Sequence, residues 1–354
     1  MVRARDESKI NWAGAGMSGK AAMIELALGR DGVTASPGTD ARRVLQLLLA
    51  ATWLLDGLLQ YQSFMYTEAF GQMIGGTATG NPGVIARPIS WNAALVEHHL
   101  VLLNTVFATI QLLLGLGIAY RPTVRLALAA SIAWSLAVWW LGEGLGGVLS
   151  GGVSPVSGGP GAVILYALLA VLLWPTDRPG VTASPVAFRA VGAPAARLLW
   201  LVLWCSLAYF ALTPANRAPQ ALHDIIVNMT GGEPGWVTGL QEHAAAVLAH
   251  RGLAASIVLT AALIVIAVGV FLPPPLARGT LILALAVAAF IWVFGEAFGG
   301  ILQAGGGTDP NSAPLLALLS LAYWPLATAG PRARRPQADG PPAMAVGRTE
   351  ETSA

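Results

Sequence analysis

Long apolar runs, separated by short polar or Gly/Pro-rich stretches, make up most of this chain, and polar segments lie at both ends. A membrane helix needs about 20 apolar residues. Eight runs approach that length, at roughly 43–62, 97–119, 123–147, 161–175, 196–213, 252–272, 278–301 and 313–327. They fall into two sets of four, each with a long loop after its first run, at about 63–96 and 214–250. Phe64 to Phe70 opens one loop and Leu222 to Ile226 the other, both amphipathic. Such stretches lie along the membrane interface or cap the bundle. The fourth and eighth runs are short, which fits either a binding site between repeats or hydrophobic mismatch. The expectation is an all-α, polytopic integral membrane protein with eight transmembrane helices as two parallel four-helix repeats.

The duplication is visible in the residues. Trp139-Trp140-Leu141-Gly142-Glu143-Gly144 reappears as Trp292-Val293-Phe294-Gly295-Glu296-Ala297, with Glu143 and Glu296 153 positions apart. Arg43 and Arg197 open the first and fifth runs, 154 apart. Asn81-Pro82-Gly83 matches Glu233-Pro234-Gly235, and Trp174-Pro175 matches Trp324-Pro325. The expected domains are a polar cytoplasmic tail at 1–40, repeats at 41–178 and 196–330, a cytoplasmic linker at 179–195 and a disordered cytoplasmic tail at 331–354.

Composition sharpens the class. The 354 residues are 55% hydrophobic and 11% charged, against roughly 25% charged in soluble domains, so the lipid bilayer is the main partner. No basic run interleaved with aromatics points to nucleic acid. A single cysteine, Cys205, excludes an internal disulfide and thiolate metal clusters. Arg outnumbers Lys, and Ala and Gly abound, as in a GC-rich bacterial genome. No cleavable signal peptide is visible, and Met17 and Met23 are alternative starts. Residues 14–20 fit GxxxxGK, but Ala21 follows and no strand pattern precedes, so no phosphate-binding loop is expected. Arg42, Arg43, Arg121, Arg125, Arg178, Arg189, Arg197 and Arg278 fall on one side of an eight-span topology. The positive-inside rule then puts both termini in the cytoplasm of a multi-pass protein of the cell membrane.

Polar residues gather at the opposite, extracytoplasmic end. An ionisable residue inside a span is costly and marks function by default. Asp56, Glu97, Glu143 and Glu296 are the candidates for a proton relay, since a buried carboxyl titrates near neutral pH. Asp56 and Gln60 share a helix face. Glu97, Asn104 and Gln111 recur every seven residues and form a seam; the matching positions in the second half are His250, Ile257 and Ile264. The polar path thus belongs mainly to the first half. His98, His99, Asn104, Gln111, Trp139 and Trp140 are candidate ligand-binding residues. His98, His99 and His250 are weak candidates for a metal, because adjacent histidines diverge on a helix and no HExxH or HxxxH occurs. The competing reading is structural: the glutamates lock helix packing beside their glycines, and Trp139, Trp140, Trp174, Trp292 and Trp324 anchor helix ends at the interface.

Phe107-Ala108-Thr109-Ile110-Gln111-Leu112-Leu113-Leu114-Gly115-Leu116-Gly117-Ile118, then Arg121-Pro122 and a further apolar helix, resembles the DoxX-like membrane proteins. Those are four-helix units, with Glu where Gln111 stands here. The resemblance implies a membrane component of redox or quinone-linked processes, with a quinone or metal as the possible cofactor and an oxidoreductase as the possible partner. Two other classes stay open. A transporter for a small solute or metal ion would hold its substrate between the halves. A scaffold or assembly factor would need no site.

Overall fold

The computed structural model describes residues 37–176, 185–303, 307 and 309–325, with side chains from residue 41. The tails, residues 14–20 and Arg178 lie outside the described residues. Among the described residues every regular element is helical. The first half contains α1 (Pro37–Leu59), α2 (Glu68–Gly76), α3 (Gly83–His98), α4 (Leu100–Ala119), α5 (Val124–Leu141) and α6 (Ala162–Leu172). A six-residue helix, α7 (Val186–Val191), leads to the second half: α8 (Ala193–Ala211), the single turn α9 (Pro214–Arg217), α10 (Ala221–Asn228), α11 (Gly235–Leu248), α12 (Gly252–Gly269), α13 (Pro274–Phe290) and α14 (Ser312–Ala322).

Five of these segments are long and apolar enough to cross a membrane, at Leu100–Ala119, Arg121–Leu141, Ala193–Ala211, Gly252–Gly269 and Pro274–Gly295; Ala162–Leu172 and Ser312–Ala322 are shorter apolar helices. Their outer faces carry exposed Val101, Leu113, Leu126, Val202 and Val258. Water would not tolerate so continuous an apolar belt, and a bilayer would. The chain has the character of a multi-pass membrane protein.

Packing follows the same order in both halves. α1 packs on α4 and α8 on α12; α4 on α5 and α12 on α13; α5 on α6 and α13 on α14; α2 on α3 and α10 on α11. The halves meet mainly through α6 against α14, with α1 also touching α14. Trp53, Tyr166, Trp200 and Trp204 are fully buried in one continuous core. Arg43 donates to the carbonyls of Ile118 and Ala119, where the last turn of α4 leaves acceptors unpaired. Arg197 stacks over Phe188 and over Phe271, just past the end of α12.

Several boundaries differ from the sequence expectation. The second span does not run from residue 97. α3 ends at His98 and α4 begins at Leu100, because His99 leaves helical geometry at φ −128°, ψ 38°. The third and seventh runs do not continue as helix to 147 and 301. After Leu141 and Gly295 the backbone turns over through consecutive positive-φ residues, at Gly144, Leu145, Gly146 and Gly147 and again at Ala297, Phe298, Gly299 and Gly300. The turns are tight because other backbone abuts them. A Cβ on Gly146 would strike the Pro160 carbonyl, and one on Gly299 the carbonyls of Asp309 and Pro310. The stretch expected as a linker contains α7, whose Val186, Ala187 and Phe188 are buried in the core.

Candidate functional site

α6 and α14 are 11 residues each, about 16 Å of helix, so their N-termini end within the protein. Four backbone N–H groups at such an end need acceptors, and a glutamate from the preceding turn supplies them in both halves. Glu296 uses both oxygens: Oε1 accepts from the Ser312 N–H at 3.2 Å and from the Ser312 hydroxyl, and Oε2 from the Ala313 N–H at 3.1 Å. Glu143 Oε1 accepts from Val163 N–H at 3.3 Å, while its Oε2 lacks a hydrogen bond of normal geometry. The tryptophans one turn earlier make matching bonds. Trp139 Nε1 donates to the Pro160 carbonyl at 2.8 Å and Trp292 Nε1 to the Pro310 carbonyl at 3.1 Å.

Glu143 also lines a cavity of about 210 Å³ enclosed by α1, α2, α3, α4, α5 and α6. On its wall Gln60 Oε1, Gln111 Oε1 and Trp134 Nε1 are buried without a hydrogen-bond partner, Glu143 Oε2 lacks one of normal geometry, and Asp56 and Tyr166 face each other. Buried polar atoms are seldom left without partners, and their gathering around one space makes it suited to a polar occupant. Met65, Phe70, Met73, Ile74 and Phe107 form the apolar remainder. The Tyr166 hydroxyl stands beside Asp56, and its ring stacks on Trp53 with centroids 4.1 Å apart. Trp53 is held in turn by a 3.0 Å bond to Ser131 Oγ. The cavity lies at the end of the bundle away from Arg43, since Asp56 is thirteen residues further along α1, about 20 Å. Between them, buried Leu45, Leu49, Leu114, Leu165 and Leu169 fill the bundle.

Among the sequence candidates, Asp56, Gln111 and Glu143 meet at this cavity. Asn104 sits just outside it, buried, and positions Gln60 by donating to its carbonyl at 2.8 Å. Trp139 supports the loop before α6, and Trp140 is exposed on the outside. Glu97, His98 and His99 do not take part. The chain turns at His99, so Glu97 leaves the seven-residue seam and lies across Gly71, and all three are exposed. Glu296 is 1% exposed and its oxygens are committed to α14, so it stands apart from the cavity. His250 is exposed beside Gln220. Among the described residues no group of three or more His, Cys, Asp or Glu is arranged to hold a metal ion.

Among the lining residues not singled out from the sequence are Tyr166, Trp134 and Asp309. Tyr166 looks like one more aromatic in an apolar run, and Trp134 like an interface anchor. Asp309 is the informative omission. It belongs to the second half yet lines the first half's cavity, near Asp56 and Glu143. The repeat could have exposed it, because Asp309-Pro310 stands 150 positions after Gly159-Pro160, the offset that relates the two Trp-Pro closures. Another crossing is made by Gly158, where a Cβ would meet Asn311 and Glu296. Compared with models of protein families, with curated proteins and with solved structures, the chain matches none.

Proposed function

We propose that this is an eight-span membrane protein of two four-helix repeats in the same orientation, and that its first repeat binds a small ligand with a hydrogen-bonding head and exchanges protons with it. The matched helix packing, the paired positive-φ turns and the glutamate caps support the duplication. The Arg bias supports cytoplasmic termini, which leaves the cavity on the extracytoplasmic side. On this reading the protein is a redox-associated membrane subunit of DoxX-like kind. The head is quinone-like: flat enough to lie against Trp53 and Phe107, with an oxygen to which Trp134 Nε1 can donate and, in its reduced form, a hydroxyl from which Gln111 Oε1 can accept. Asp56 and Glu143 hold or deliver its protons, and Tyr166 relays between Asp56 and the ligand. Electrons come from a partner oxidoreductase.

The observation that carries this reading is the convergence of Asp56, Gln111, Trp134, Glu143 and Tyr166 on one small space, with Gln111 Oε1, Trp134 Nε1 and Glu143 Oε2 buried and lacking hydrogen bonds of normal geometry. A through-path for solutes is less well supported, because packed leucines fill the bundle below the cavity. The test is solvent extraction and mass spectrometry of the purified protein, followed by binding of a water-soluble benzoquinone read by tryptophan quenching. Binding to the native protein, weakened about tenfold or more by Glu143→Gln or Gln111→Leu with the melting temperature kept, is the expected result. Absence of any bound small molecule, together with no quenching, would overturn it.

A further inference from the structure

A second hollow, a groove of about 560 Å³, runs between α1, α13 and α14. Leu48, Ala51 and Leu55 of α1, Ala289 of α13, and Ala317 and Leu318 of α14 are part of its largely apolar wall. It is chemically the reverse of the cavity. Its two side-chain donors are already used, the Thr52 hydroxyl by the Leu49 carbonyl at 2.8 Å and Trp292 Nε1 by the Pro310 carbonyl at 3.1 Å. Nothing on its wall calls for a polar guest. It offers hydrocarbon a shaped surface between helices that otherwise face lipid.

The groove and the cavity share their dividing wall. On α1, Thr52 faces the groove while Trp53 and Asp56 face the cavity. Tyr166 of the cavity neighbours Thr52. Before α14, Asp309 lines the cavity and the next residue, Pro310, lines the groove. A polar space and an apolar space thus adjoin along one helix and one loop.

We infer that the groove holds the apolar chain of the molecule whose head enters the cavity, so that the ligand is a single-chain amphiphile with a head that is not anionic. The inference rests on the proposed head site. The carboxyls of Asp56, Glu143 and Asp309 face the cavity, and none of its lining residues is Arg, Lys or His. A phosphate head would find no cationic partner there and would stand against carboxyl groups. An uncharged ring with hydrogen-bonding oxygens would find both donors and acceptors. Because bilayer chains are as apolar as the groove, the chain gains by packing and by holding the head in place, not by leaving water.

The test compares two probes on the purified full chain in nanodiscs: a benzoquinone bearing a decyl chain, and the same ring without it. Ala51→Phe and Ala289→Phe fill the groove from its exposed rim, so folding is preserved and is checked by melting. Each variant is expected to lose about tenfold or more in affinity for the decyl probe while binding the chainless ring as the native protein does. Decyl affinity unchanged in both variants, with ring binding intact, overturns the groove assignment and leaves the head site standing. Failure of both probes to bind the native protein removes the head site and the inference with it. A phospholipid that co-purifies with the native protein and is lost from Ala289→Phe would also overturn a single-chain ligand.

Discussion

Glu143 and Glu296 occupy equivalent turns and have different work. Glu296 is fully engaged with Ser312 and Ala313, so it reads as a cap for α14. Replacing it with Gln sets an amide N–H₂ against N–H donors and leaves one unsatisfied in a buried place. Such a loss costs about 1–3 kcal/mol. Glu143→Gln keeps the one acceptor that Val163 uses and presents its amide to the cavity, so its stability cost is expected to be smaller. Melting in detergent should rank Glu296→Gln below Glu143→Gln, whereas ligand binding should rank them the other way. The reverse order in both measurements would make Glu143 the cap and Glu296 the functional group. Asp56 differs from both. Its counterparts in the second half are Tyr209, which is exposed, and Phe210, which is buried, so the second half has no such carboxyl.

The elements that set the site are a turn and a short helix. A half-length helix stops with its N-terminus inside the protein, and the preceding loop must supply acceptors and room. Left-handed turns at Gly144–Gly147 and Ala297–Gly300 supply both, including the non-glycine residues Leu145 and Phe298 at φ 57°. Left-handed geometry costs such residues roughly 1–2 kcal/mol each, so the packing of the turn against its proline loop has to hold them there. Gly146→Ala adds a Cβ where the Pro160 carbonyl already sits. Overpacking of this kind costs about 1–3 kcal/mol, and the positive φ adds to it. A lower melting temperature with loss of ligand binding is expected for Gly146→Ala. The matching Gly299→Ala should lower melting alike, by displacing the loop that carries Asp309. If both variants melt like the native protein, the turns are not what holds these loops.

At the scale of the whole molecule, the contacts that couple the halves include Asp309 at the first half's cavity, Gly158 beside Glu296 and the Asn216 amide donating to the Val153 carbonyl at 2.7 Å. One half alone would therefore lack part of its own wall. The proposed arrangement of two repeats in the same orientation makes a direct prediction for labelling from each side of the membrane. In a Cys205→Ser background, Tyr120→Cys and Leu272→Cys, both exposed between successive long helices of their halves, should react only from the cytoplasmic face. Trp91→Cys and Trp236→Cys, exposed on α3 and α11, should react only from outside. Opposite labelling of positions 120 and 272 would mean inverted halves and would end the parallel-repeat proposal.

Much of this protein was legible along the chain, because burial in lipid writes itself into local pattern. Apolar run length marked the helices, and the matched residues around Glu143 and Glu296 marked the two turns that the structure gives the same left-handed form. Asp56, Gln111 and Glu143 were identified by one rule, that a polar side chain in a span must face inward, and the fold brings them to one cavity. That rule misled where the helix itself ended: the single non-helical residue His99 carries Glu97 out of the seam with Asn104 and Gln111, and no periodicity reveals a break of one residue. It was silent on Tyr166 and Trp134, whose polar atoms matter only through what surrounds them. It was silent too on Asp309, which enters the site from 143 positions beyond Tyr166. A sequence determines which residues cannot face lipid, since that depends on each side chain's own solvation. Which of them share one space depends on the packing of α6 against α14 and of α1 beside both, and only the tertiary structure decides that.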